Sequence, residues 1–167
     1  KRAKLDVKII KRESSPATKY DLFQRLNSYG STLNSQEMRS ALLVAVSSDF
    51  FAWLERLASL PEFRKCTELS ERLIDERYDL ELTLRFLVLH NRPSTKITIT
   101  SLRDLPEVLD NEAVSLAQSY PSGADTLEST FKATFDIISK NGADNIFKRW
   151  DAERQEFRGS FLSSSFE

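Results

Sequence analysis

One segment constrains the fold more than any other. Residues 80–89, Leu80-Glu81-Leu82-Thr83-Leu84-Arg85-Phe86-Leu87-Val88-Leu89, are apolar on almost every side of a helical wheel. A helix with no polar face has to be surrounded by other elements. The alternation Leu80, Leu82, Leu84, Phe86 would also suit a strand. The preceding Glu71-Arg72-Leu73-Ile74 and the length of the run favour helix, so one long central element is expected from about Thr67 to His90. The charged pair inside it, Glu81 and Arg85, is spaced four apart, as a paired bridge requires, because a lone buried charge is costly.

The rest of the chain can supply the surround. Its 167 residues are 40% hydrophobic and 29% charged, enough for one core. Only four glycines are present, which disfavours a turn-rich all-β fold. Asn34 with Glu37 has the spacing of a helix cap and its reciprocal carboxylate. A helix is expected to follow through Met38, Ala41, Leu42 and Ala45. Asp49 is expected to cap the next, with Phe50, Trp53, Leu54 and Leu57 on its inner side. Ser59, Pro61 and Glu62 mark another start. Asp104, Pro106 and Glu107 open a helix to about Ser119. Asp125 with Glu128 opens one that Asn141-Gly142 closes. Trp53, Trp150 and the phenylalanines read as core.

The N-terminus differs. Leu5, Val7 and Ile9 alternate with Asp6 and Lys8, as in a β-strand. A lone strand is not stable by itself, so sheet partners are expected upstream of Lys1. Lys96 to Thr100 is a β-branched stretch, strand or extended loop. The expected architecture is thus mainly α, six to seven helices with an N-terminal strand remnant. It forms one domain over residues 1–167, with the strand and a motif loop in 1–34 and the helices in 35–167.

Composition narrows the function. Net charge is -1 and the isoelectric point about 6.0, so the whole surface is not a basic nucleic-acid clamp. The first twelve residues do hold six Lys/Arg (Lys1, Arg2, Lys4, Lys8, Lys11 and Arg12) against Asp6. They form either a phosphate-contacting patch or a charged edge strand. Cys66 is the only cysteine; it forms no internal disulfide, suits a reducing cytosol, and reads as a small buried hydrophobe. No run of about 18 apolar residues offers a membrane span. His90, the only histidine, reads as a helix-end residue rather than a metal ligand. No dyad, triad, phosphate loop or metal cluster can be assembled, so no catalytic residue is assigned.

The most specific stretch is Phe23-Gln24-Arg25-Leu26-Asn27-Ser28-Tyr29-Gly30-Ser31-Thr32-Leu33-Asn34-Ser35-Gln36-Glu37-Met38-Arg39. It resembles the F-x-R-[LI]-N-x-x-G-x-x-L-x-x-Q-E-x-R signature of domain-of-unknown-function family 262, the N-terminal domain of GmrSD-type restriction enzymes. Lys8-Ile9-Ile10, Asp79 to Phe86, Phe147-Lys148-Arg149-Trp150-Asp151 and Phe157-Arg158-Gly159-Ser160-Phe161 resemble further family segments in the same order. The family is similar to the ParB/sulfiredoxin-like superfamily, though Gly30 stands where chromosome-partition members carry a phosphate-binding arginine.

The resemblance implies a cytoplasmic, nucleotide-sensing, nuclease-associated part of bacterial phage defence. Its upstream D-G-Q-Q-R half, absent from these residues, would bind a nucleoside triphosphate with Mg. The parent nuclease would meet DNA. Arg25, Asn27, Gly30 and Arg39 are the candidate phosphate-binding residues. A glycine turn entering a helix presents free amides to an anion; equally, Asn27 caps the preceding helix and Gly30 only permits the turn. Two other readings stand: a non-enzymatic helical interaction or homodimerisation module, and a direct DNA binder with steep salt dependence.

Overall fold

In the computed structural model the described residues are Thr18, 33–91, 105–142 and 145–158. Seven helices and one hairpin lie within them. The expected strand at Leu5 to Ile9, the helix expected before Asn27 and the Lys96 to Thr100 stretch lie outside them.

Helix α1 spans Ser35–Val46. Its start is the expected capping box: the Asn34 side chain accepts from the Glu37 amide at 2.8 Å, and the Glu37 carboxylate accepts from the Asn34 amide at 2.7 Å. Two otherwise orphaned donors are thus satisfied, worth about 1 kcal/mol. One extended residue, Ser47, separates α1 from α2 (Ser48–Ala58) and serves both. Its amide donates to Leu43 O, and its hydroxyl accepts from the Phe50 amide. The expected cap, Asp49, lies inside the first turn instead; serine at the extended position has the geometry that a residue already in the helix lacks.

Helix α3 (Pro61–Thr67) opens on its proline as expected and ends at Glu68, which is left-handed (φ 42°). The predicted single helix from Thr67 to His90 is two: α4 (Glu71–Asp75) and α5 (Tyr78–Asn91), broken at Arg77, also left-handed (φ 61°). A non-glycine residue there costs about 1–2 kcal/mol. The bend separates two environments: α4 buries no residue, whereas α5 buries Asp79, Leu80, Leu82, Thr83, Leu84, Leu87 and Val88. Those positions cover about two thirds of the circumference of α5, which packs against α1, α2, α4, α6 and α7. The apolar run is the centre of the bundle.

Helix α6 (Leu105–Ser119) presents Leu105, Leu109, Ala113 and Ala117, one residue every turn. Two of the four are alanines, which permits close approach to α1 and α5. Helix α7 (Ala124–Asn141) places Leu127, Phe131 and Phe135 against α3 and α5. Its N-cap is Gly123, left-handed at φ 75° with no side-chain cap, not the expected Asp125–Glu128 pair. Phe131 meets Phe63, Phe86 and Phe135 with ring centroids 5.4, 5.0 and 4.6 Å apart. Phe50, Trp53 and Tyr120 form a second aromatic cluster. Cys66 is buried as expected, and burial pushes its thiol pKa up.

The chain then forms a hairpin that the sequence reading did not contain. Strand β1 (Arg149–Asp151) pairs antiparallel with β2 (Glu156–Arg158), Trp150 opposite Phe157. The Asp151 carboxylate accepts from the amides of Glu153 and Arg154 and so shapes the turn. Trp150 and Phe157, read as core, are 47% and 46% exposed. They pack on each other at 5.0 Å on one face of the hairpin, and among the described residues the two-stranded ribbon covers them only in part.

Candidate functional site

The described part of the motif, Leu33 to Arg39, leads from an extended residue into α1. Gln36 and Arg39 lie on the inner face of that helix, 2% and 1% exposed. A buried guanidinium needs partners for its charge and its donors, and Arg39 has both. Its Nε donates to Asp110 Oδ1 of α6 at 2.8 Å, and its Nη1 donates to Gln36 Oε1 at 2.6 Å. The arrangement is a clamp between α1 and α6. Arg39 makes both contacts inside the protein and also lines a cavity at the start of α1. Arg25, Asn27 and Gly30 lie outside the described residues, so of the four candidates only Arg39 is placed.

A cavity of about 280 Å³ adjoins the start of α1, lined among the described residues by Asn34, Gln36, Arg39, Glu76, Tyr78 and Glu81. It brings the α1 cap beside the α4–α5 junction, and the Asn34 amide group donates to Glu76 O at 3.3 Å. Glu81 is paired with Arg85, as the spacing predicted, and the Arg85 guanidinium lies 5.8 Å from the Tyr78 ring centroid. The helix start has its partial positive charge, but the side-chain charges are balanced: Asp110 answers Arg39, and Arg85 answers Glu81. An anion at this cavity would therefore take its main electrostatic attraction from groups other than these. Glu37 is a cap, with its carboxylate engaged by its own helix.

A second polar cluster escaped the sequence reading. Glu128, expected as a cap of α7, instead receives the Trp53 indole N–H at 2.7 Å and Arg56 Nη2 at 2.7 Å on Oε2, and Lys132 Nζ at 2.6 Å on Oε1. The Lys132 hydrogen bond above all, then the Trp53 hydrogen bond and the Arg56 charge, hold its pKa at about 2 against an ordinary 4.5, with desolvation opposing them. A depressed acid stabilises the fold above its unfolded pKa and loses that contribution as it protonates. The Glu128→Gln protein is therefore expected to be about 1–2 kcal/mol less stable than the parent at pH 7. The gap narrows as pH falls from about 4.5 towards 2, and urea midpoints across that range measure it. A gap independent of pH would remove the assignment.

His90 is exposed at the end of α5 with its ring stacked on Phe86. Among the described residues no three His, Cys, Asp or Glu side chains come together to hold a metal ion, and no helix is long and apolar enough to cross a membrane. No family model, curated protein or solved structure matches this chain.

Proposed function

We propose that this chain is the helical part of a GmrSD-type, ParB-like domain that senses nucleotides for a nuclease in bacterial restriction or phage defence. Its place of action is the cytoplasm. The observation that supports the reading is the rigid start of α1. The capping box Asn34/Glu37 and the Arg39–Asp110 clamp fix the end of the motif beside a cavity. In this reading the chain carries no catalytic group. A D-G-Q-Q-R segment outside these residues supplies the chemistry and holds a nucleoside triphosphate with Mg. Arg25, Asn27 and Gly30 meet its phosphates, and Arg39 positions the helix that follows.

Thermal unfolding of the full-length protein with ATP or GTP and Mg tests it. Saturation at about 100 Kd adds about 2.7 kcal/mol, a rise of several degrees, and Asn27→Ala abolishes the rise. No shift with any nucleoside triphosphate overturns the reading.

One observation favours the second reading, a non-enzymatic helical interaction or dimerisation module. Ile146, Trp150 and Phe157 are each more than two-fifths exposed close together in the chain fold. A dimer by light scattering in the same samples, with no nucleotide response, selects it.

A further inference from the structure

Asp79 is the least explained charge in the bundle. It sits in the first turn of α5, only 8% exposed. Its Oδ1 accepts from the neighbouring Leu80 amide at 2.9 Å. No cation pairs with it among the described residues. The start of α5 offsets part of the charge, but a buried carboxylate with a single amide donor is short of partners by two or three hydrogen bonds. Its other oxygen is not sealed in protein. Asp79 lines a cavity of about 190 Å³ between α3, the 68–70 loop and α4.

The walls of that cavity match the carboxylate. Phe63, Leu69 and Ile74 are apolar, and Thr67, which also lines the space, already donates its hydroxyl to Phe63 O. Two charges stand at the rim. Glu68 is taken by Lys148 at 2.8 Å, and Arg64, exposed and also part of the cavity lining, makes no ion pair or hydrogen bond with Asp79. Inside the cavity the Asp79 carboxylate thus has apolar walls and no bonded cation, the surroundings a positive charge on an apolar stem would fit. At about 190 Å³ the space is below the range of about 300–1,000 Å³ that drug-sized ligands use, so it suits a small group such as a short alkyl chain rather than a nucleotide.

We propose that this cavity binds an alkylammonium group, with the Asp79 carboxylate as its counter-ion and Phe63, Leu69 and Ile74 against its methylenes. The group is either the side chain of a lysine on another protein or a free aliphatic amine. The site is separate from the start of α1 and independent of the nucleotide reading.

Titration of the full chain followed by amide chemical shifts of Thr67, Leu69 and Ile74 tests it. The probes are n-butylammonium, N-acetyl-lysine methylamide and uncharged 1-butanol. The expected result is saturable shifts with both amines and binding at least tenfold weaker to 1-butanol. Asp79→Asn keeps the Leu80 hydrogen bond, so its circular dichroism is unchanged, and it loses at least tenfold in amine affinity. A stronger response to the lysine amide than to butylammonium assigns the site to a protein lysine, and equal responses to a free amine. No saturable shift, equal binding of the alcohol, or an Asp79→Asn protein that binds amines as well as the parent overturns the proposal.

Discussion

Replacing Phe131 by alanine is expected to remove about 3–5 kcal/mol of stability, much of what holds a domain of this size together. The ring is fully buried on α7 and is the hub of an aromatic cluster, touching Phe63 of α3, Phe86 of α5 and its own neighbour Phe135. Three helices would lose contacts at once, and the rigid helix axes allow little collapse into the space. Urea unfolding followed by far-UV circular dichroism measures the loss. Phe131→Leu, which keeps most of the volume, should cost less than half as much. Equal costs for the two would mean that the site is looser than its packing.

The second large effect separates two roles for Arg39. If the residue is a clamp, Arg39→Met removes the guanidinium from Asp110 and from the Gln36 side chain and costs up to about 3–5 kcal/mol, the typical penalty for breaking a buried pair. Asp110→Asn alone costs less, because Asp110 is 23% exposed and water can partly replace its partner. In the double variant Arg39→Met/Asp110→Leu most of the loss is recovered, since an apolar pair is often as stable as the ion pair it replaces. A phosphate ligand would behave differently. Arg39→Met would leave the unfolding midpoint unchanged and alter only the response to nucleotide. Measuring both midpoint and response for the three variants decides between them.

What the sequence revealed was set by range. Asn34 and Glu37 lie three residues apart, and local geometry alone makes them a capping box. Pro61 at the start of α3 and the Glu81–Arg85 bridge were legible for the same reason. The apolar run in α5 announced its own burial. Asp110, by contrast, meets Arg39 across 71 residues, and nothing near either one specifies the partner. The nearest signal was its place beside Leu109 on the inner stripe of α6.

Glu128 shows the converse error. Its spacing from Asp125 imitates a cap, but Trp53, 75 residues away, claims the carboxylate. The break at Arg77 was invisible because arginine is a good helix former, and tertiary packing overrode that preference. Trp150 and Phe157 were misread because strands of three residues are too short to display a period. Of the four candidate residues Arg25, Asn27, Gly30 and Arg39, only Arg39 falls among the described residues, where it pairs with Asp110 and Gln36.

The hairpin has a consequence for how anything engages that end of the molecule. Its strands are three residues each, and the four positions flanking Trp150 and Phe157 are Arg149, Asp151, Glu156 and Arg158. Such a ladder gives an incoming strand almost no main-chain groups to pair with, and it surrounds them with charge of both signs. Templated strand recruitment is therefore suppressed. Among the described residues, the apolar surface that the hairpin offers a partner is that of the two rings.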